Sequence, residues 1–311
     1  MKGTPRLLER PQQELLTILR QLSVSARLFK DELVIEGDGW KKPKSTLEIN
    51  REKSSQFATG VLFSTWKLSF PLEFQLFPAG MTDPYWSMSL DYAKQLGMNI
   101  QILGRDHFLI PEQQNAENMH LIVEPDQSSA FAIAAAAALC GEARLEKIMS
   151  TSLQPDFAFI EILKKMQIPV LWQQNSLVIS LAKRMTAVDI LMRDTPDLFP
   201  VLAVLCAFAE GQSKLFGAPR LVYKESDRIK KTAELLNLMG VENQILTDGI
   251  IIYGQGMSLS QKTFDFDPDH DHRMAMAAGL LLRAGWKIKI HNSHVVKKSF
   301  PEFWDILGIQ P

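Results

Sequence analysis

The sequence predicts an α/β (α+β) protein of two domains, assembled from one repeated unit in which helices alternate with short strands. Three observations carry that expectation. A chain of 311 residues is longer than one average core organises. Four segments share one local pattern at a regular spacing, and between them lie apolar stretches that each begin with polar residues.

The four segments read ILRQLSVSARLFKDELVIEG, DYAKQLGMNIQILGRDHFLIP, ILKKMQIPVLWQQNSLVISLA and LLNLMGVENQILTDGIIIYG. Each is the end of an amphipathic helix, a strand, a polar turn and a second strand. The helices end at Leu22, Leu96, Met166 and Met239, which are 70 to 74 residues apart. Asp31, Asn175 with Ser176, and Asp248 with Gly249 supply turn chemistry for the hairpins.

The intervening stretches, SSQFATGVLFSTW, DQSSAFAIAAAAALC, PDLFPVLAVLCAFAEG and DHRMAMAAGLLLRAG, carry apolar residues on most sides and read as buried helices. Ser or Asp at each start can cap the first N–H groups. Four such helix starts turned into one cleft would also make an anion site. The pattern breaks off at both ends. It opens on a helix from Pro11 to Leu22 with no buried helix before it, and closes on a helix from Phe300 to Leu307 with no hairpin after it. A face of Phe300, Phe303, Trp304 and Leu307 needs a sheet to cover, so a strand pair is expected to be missing.

Charge and composition narrow the function. A net charge of −1 gives no general pull toward nucleic acid or an anionic membrane, so anion binding must come from a local cation cluster. The start of the chain does not read as a signal peptide, and the longest apolar run, Ala130–Cys140, is too short to span a bilayer. Cys140 and Cys206 sit in apolar runs and read as buried free thiols, which suits a cytoplasmic protein. His270, His272, His291 and His294 lack the ligand spacing of a zinc site, and there is no glycine-rich nucleotide loop, so neither metal nor cofactor is expected.

The chemistry concentrates in a few motifs. KESDRI, Lys224 to Ile229, sets Lys224 and Arg228 four residues apart, on one helix face if that stretch is helical, with Glu225 beside them. DTPD (Asp194 to Asp197) precedes it; DHRMAM (Asp271 to Met276) and KKSFP (Lys297 to Pro301) follow. Together with LLERP, SSQF (Ser54 to Phe57) and VEPDQSSAFAIAAAA, these resemble the EPSP synthase family, the enolpyruvyl transferases of the shikimate pathway, in order and at compatible spacing from about Gly3 to Pro311. Transferases acting on UDP-N-acetylglucosamine share the fold, but KESDR with DHRMAM points to the shikimate branch.

The resemblance implies a two-domain enolpyruvyl transferase fold (an inverse α/β barrel) of repeated βαβαββ units, here incomplete at the N-terminus. Its domains would be an incomplete one over residues 1–124 and a C-terminal one over 125–311. It implies transfer of enolpyruvyl from phosphoenolpyruvate to the 5-hydroxyl of shikimate 3-phosphate, on the route to chorismate and the aromatic amino acids. Ser54, Ser55 and Thr82 would hold the shikimate phosphate, with Gln56 and Tyr85 against the ring. Arg10, Arg228, Arg273 and Lys298 would grip phosphoenolpyruvate. Asp197 would orient or deprotonate the 5-hydroxyl and Lys224 would bond the shikimate side. Glu225 and Lys298 would transfer the proton, with His272 supporting Glu225.

The chain also departs from the family. Asp83 stands where Lys or Arg is common and brings an anion near the phosphate site. The Gly-Ser-Lys-Ser loop, an Arg after it and the Asn-Ala-Gly-Thr loop have no counterpart in this sequence, and Pro43-Lys44-Ser45-Thr46 is no replacement for the first. Losing one charge-stabilising donor typically costs ~10²–10³ in rate. One reading is therefore an enzyme completed by an N-terminal fragment or another subunit, with self-association through uncovered apolar surface. A second is an inactive homologue that binds an anionic metabolite or a protein partner, and a third is a transferase with a different acceptor, suggested by Asp83.

Overall fold

The structure, a computed structural model, describes residues 2–30, 32–81, 83–116 and 122–311. Asp31 and Thr82 lie outside the described residues. The chain divides into two compact units, Met1–Ile122 and Val123–Pro311.

Unit 1 opens with helices α1 (Pro5–Glu9) and α2 (Gln13–Gln21), then the hairpin β1 (Ser25–Leu28) and β2 (Leu33–Glu36). A complete repeat follows: β3 (Leu47–Asn50), α3 (Gln56–Ser64), β4 (Leu72–Phe77), α4 (Pro84–Gln95), β5 (Gln101–Gly104) and β6 (His107–Ile110). The sheet order is β3-β4-β6-β5, with β3 parallel to β4 and the β5–β6 hairpin antiparallel to it. Alternation along β4 turns Leu72, Phe74 and Leu76 inward, where Phe74 and Trp86 each meet Phe108 with ring centres 5.4 Å apart.

Unit 2 runs α5 (Gln127–Cys140), β7 (Glu142–Glu146), α6 (Phe159–Lys165), β8 (Val170–Gln173), β9 (Ser176–Ser180), β10 (Asp189–Leu191), α7 (Phe199–Ala207), β11 (Glu210–Phe216), α8 (Arg228–Met239), β12 (Asn243–Leu246), β13 (Gly249–Gln255), β14 (Thr263–Phe266), α9 (His272–Arg283), β15 (Lys287–Ile290) and α10 (Phe303–Leu307). The order β10-β11-β13-β12 repeats the topology of the unit 1 sheet, which bears out the βαβαββ unit; β7-β9-β8 and the parallel pair β14-β15 complete the set. Helices α5, α7 and α9 pack on one another inside and the sheets lie outside. Every residue of α7 is buried, so it needs an apolar surface all round, and the run of alanines in α5 lets its neighbours approach. Among the described residues no helix is long and apolar enough to cross a membrane.

The four predicted helix ends hold: Leu22, Leu96 and Met166 follow the last turns of α2, α4 and α6, and Met239 is the last residue of α8. Three local expectations are corrected. Ser176 is the first residue of β9; Gln174 and Asn175 make that turn, with Gln174 at φ +55°. Gly249 is likewise a strand residue, and the turn is Thr247–Asp248. It is glycine because a Cβ there would lie 1.9 Å from the Leu215 carbonyl oxygen. The terminal helix is shorter than Phe300–Leu307, because Pro301 disfavours helical backbone at Phe300. Phe303 and Leu307 are buried in the unit 2 core, and α10 packs on α9, where Gly279 leaves room for the rings of Phe303 and Trp304.

Candidate active site

Unit 2 gathers its candidate residues at the starts of its buried helices. The KESDRI segment does not put Lys224 and Arg228 on one helix face. Asp227 caps α8 by accepting from the Lys230 N–H at 3.3 Å, so the helix begins only at Arg228, and Lys224 has extended backbone at the end of a 3₁₀ turn, Pro219–Tyr223. The two cations converge all the same. Lys224 Nζ lies 3.2 Å and Arg228 Nη1 2.6 Å from Asp197 Oδ1. Asp197 sits in the 3₁₀ turn Pro196–Leu198 before α7, and its carboxylate serves these cations where a simple cap was the plain alternative. Burial alone would raise its pKa, but Lys224, Arg228 and Arg273 outweigh that and hold it well below the usual carboxylate range.

Arg228 is almost wholly buried and is gripped by three carboxylates. Its Nε and Nη2 donate to Asp271 at 2.8 and 3.2 Å, Nη2 also donates to Glu225 at 3.2 Å, and Nη1 reaches Asp197. Four of the five guanidinium N–H groups are thereby engaged, which leaves one Nη1 hydrogen for an outside anion. Glu225 accepts a 2.5 Å bond from Lys298 Nζ. Burial pushes the Glu225 carboxyl up, but Arg228 and Lys298 prevail and bring it down to about 2. Arg228 and Lys298 are thus two of the groups that hold Glu225. His272, expected to support it, stands at the first turn of α9 with its Nδ1 4.0 Å from Asp271 and without a hydrogen-bond partner. Burial, helped by the Arg273 charge, lowers its pKa to about 4, so the ring is neutral at physiological pH.

Two aspartates that sequence reasoning passed over organise this cluster. Asp271, fully buried, caps α9 through the Arg273 N–H at 2.9 Å, accepts from Ser226 Oγ at 3.1 Å and clamps Arg228. Asp126 caps α5, accepts from the hydroxyls of Ser128 and Ser129 at 2.7 and 2.8 Å, and lies 3.7 Å from Arg273 Nη2. Their signal in the sequence was an Asp directly before an apolar helix, which reads only as a cap. Arg273 completes the set. It is 6% exposed, and its Nε and Nη1 have no hydrogen-bond partner among the described residues. A buried guanidinium with unmatched donors, beside the N-termini of buried helices, is built to receive an anion.

In unit 1, Ser54, Ser55 and Gln56 stand at the start of α3, where Ser54 Oγ accepts from the Gln56 N–H at 3.2 Å. Tyr85 is in the first turn of α4. The helices α3 and α4 lie together, joined by Thr59 Oγ1 and Ser89 Oγ 2.8 Å apart, so their starts are neighbours. Asp83 caps α4 by accepting from the Trp86 N–H at 3.2 Å. Its negative charge is thus matched to a helix N-terminus, which accounts for an acid at a position where a cation is common. Arg10 caps the C-terminal end of α1. Among the described residues, no group of His, Cys, Asp and Glu is placed to hold a metal ion.

The repeated βαβαββ unit thus has helices inside and, in unit 2, a cluster of cations and carboxylates at the helix starts. The model of the EPSP synthase (3-phosphoshikimate 1-carboxyvinyltransferase) family matches residues 1–307. The 3-phosphoshikimate 1-carboxyvinyltransferase of Syntrophobacter fumaroxidans is 32% identical over 308 residues, covering 97% of this chain and 72% of that protein. That of Methanococcus aeolicus is 30% identical, covering 97% and 71%. Among solved structures, an EPSP synthase from Acinetobacter baumannii superposes with a TM-score of 0.73 at 24% identity, over 99% of this chain and 72% of that one. The enolpyruvyl transferase NikO from Streptomyces tendae gives 0.70 at 17% identity, over 96% and 70%, and shares the fold. The chain belongs to the EPSP synthase family, and its activity is that of an enolpyruvyl transferase.

Proposed function

We propose that the chain transfers enolpyruvyl from phosphoenolpyruvate to the 5-hydroxyl of shikimate 3-phosphate, with unit 2 holding phosphoenolpyruvate and unit 1 the shikimate phosphate. The observation that carries this assignment is Arg273, a buried guanidinium whose Nε and Nη1 lack partners among the described residues. Arg273, the remaining Nη1 hydrogen of Arg228, and Lys298 then form the cation set of unit 2 for the carboxylate and phosphate of phosphoenolpyruvate, and the family resemblance assigns Arg10 to the same substrate. Ser54, Ser55, Thr82, Gln56 and Tyr85 take the shikimate phosphate and ring.

The reaction adds the hydroxyl oxygen to C2 of phosphoenolpyruvate as C3 gains a proton. Elimination of phosphate, with loss of a proton from C3, then leaves the enol ether. Asp197, with Lys224 beside it, orients the hydroxyl or takes its proton as the new C–O bond forms, and that proton leaves with the phosphate. Lys298 donates the proton to C3, and in the elimination C3 gives a proton back to the Lys298–Glu225 pair as the C2–O bond to phosphate breaks. Phosphate release by the purified chain with both substrates tests the assignment. Arg273→Ala and Asp197→Ala are each expected to lower turnover by about 10²–10³-fold. Full activity in Arg273→Ala would overturn it.

The reading includes a cytoplasmic location, consistent with the free thiols Cys140 and Cys206. It also includes association, either self-association or with a complementing chain. In both four-stranded sheets the parallel pair is extended by an antiparallel hairpin, whereas among the described residues β15 pairs only with β14 and the β1–β2 hairpin has no parent strand. That hairpin exposes Leu28, Phe29 and Ile35. Sedimentation giving a monomer at all concentrations would sink self-association, and unchanged turnover after addition of an N-terminal segment would sink complementation.

A further inference from the structure

Unit 1 contains a buried ion pair with no part in the assignments above. Arg51, in the loop between β3 and α3, and Asp106, in the two-residue turn between β5 and β6, are both buried, with Arg51 Nη2 2.5 Å from Asp106 Oδ1. The same Nη2 lies 3.3 Å from the Pro78 carbonyl, and the Arg51 N–H donates to the Phe77 carbonyl at 2.7 Å. Asp106 Oδ2 accepts from the Gly80 N–H at 2.5 Å, and Arg105 Nη2 donates to the Gly80 carbonyl at 3.0 Å. The segment from Phe77 to Gly80 is therefore held by Arg51, Asp106 and Arg105. It leads directly into the start of α4 and Tyr85, while Arg51 lies three residues before Ser54.

We propose that the Arg51–Asp106 pair is a positioning device for the phosphate-binding end of unit 1, fixing the start of α3 relative to the start of α4. This rests on the assignment of Ser54, Ser55 and Tyr85 to shikimate 3-phosphate. The pair itself touches no substrate. Its charges face each other inside the protein, and both partners bond the backbone of the loop they align. A hydrophobic residue could fill either place, but it would leave the Pro78–Gly80 turn without these bonds. Site residues held to within a fraction of an ångström bind and react far better than loosely held ones.

The test is calorimetric titration of the full chain with shikimate 3-phosphate. The double variant Arg51→Met/Asp106→Leu removes both charges at similar volume, a replacement that commonly leaves stability intact. Its dissociation constant is expected to rise by about 10- to 100-fold. Phe74→Leu, which loosens the unit 1 core without touching these loops, is expected to stay within about 2-fold of the native value. Arg51→Lys keeps the charge but not the fork, gives an intermediate loss, and serves if the double variant does not fold. Native affinity in a folded double variant, or in Arg51→Lys, overturns the proposal. Equal loss in Phe74→Leu overturns it too, since the effect would then be one of general stability. Absence of binding by the unmodified chain is a different result and refutes the assigned function itself.

Discussion

The two units prepare for anions in opposite ways. In unit 2, Asp126, Asp197, Glu225 and Asp271 are interlaced with Lys224, Arg228, Arg273 and Lys298, four carboxylates against four cations, with Arg228, Asp271 and Arg273 buried. In unit 1 the candidate ligands for shikimate 3-phosphate are hydroxyls, an amide and a phenol at helix starts, and the Arg51–Asp106 ion pair is buried nearby in sequence. Buried opposite charges keep each other ionised and in place, so the cations of unit 2 are oriented before any substrate arrives, at the cost of interdependence. Hydroxyls need no such mutual support. Substitutions in the unit 2 site should therefore alter fold and function together, whereas those in the unit 1 site should separate them.

The largest effect is expected at Asp271. Asp271→Ala leaves Arg228 buried without its bidentate partner, and should cost roughly 3–5 kcal/mol, read by urea unfolding through the buried Trp286. A loss of activity with unchanged stability would break the comparison. Gly249→Ala comes next. The added methyl would collide with the Leu215 carbonyl, and a cost of about 1–3 kcal/mol in the same assay is expected.

Acid sharpens the contrast further. Because the folded His272 has a pKa near 4, against an ordinary 6.5, the unfolded chain binds the extra proton between those values, and stability falls as pH drops through that window. Glu225, near 2 against 4.5, adds a loss below about pH 4.5. In His272→Gln the slope of stability against pH between 6.5 and 4 should flatten, while an unaltered slope would exclude the histidine as its source. The smallest change in stability is expected for Ser54→Ala, within about 0.5 kcal/mol, accompanied by weaker binding of shikimate 3-phosphate in titration. A large loss of stability there would mean that unit 1 is built like unit 2.

What the sequence revealed followed what is local. Helix ends at Leu22, Leu96, Met166 and Met239, the buried helices and the paired strands are written in apolar periodicity, which any window of the chain displays. The motifs around Asp197, Lys224 and Arg273 were legible through their resemblance to a family. Contacts between distant segments were not: Arg51 and Asp106 are 55 residues apart, and Arg228 and Asp271 are 43 apart. No periodicity links such pairs, so Asp271 read as a cap and nothing singled out Arg51 or Asp106. Gly249 misled for a related reason. Asp-Gly is a turn signal, but here the glycine answers to a carbonyl of the neighbouring strand.

That glycine also ties assembly of the sheet to assembly of the site. Asp248, beside it, accepts from the Gly217 N–H at 3.0 Å through its carboxylate and from the Ala218 N–H at 2.9 Å through its carbonyl. Those amides open the turn that delivers Lys224 and Glu225. If β13 slid one residue along β11, an isoleucine would face the Leu215 carbonyl where only hydrogen fits, and Asp248 would lose both amides. The hairpin therefore acts as a gauge: only the register that seats Gly249 against Leu215 lets Asp248 hold the start of the turn before Lys224 and Glu225.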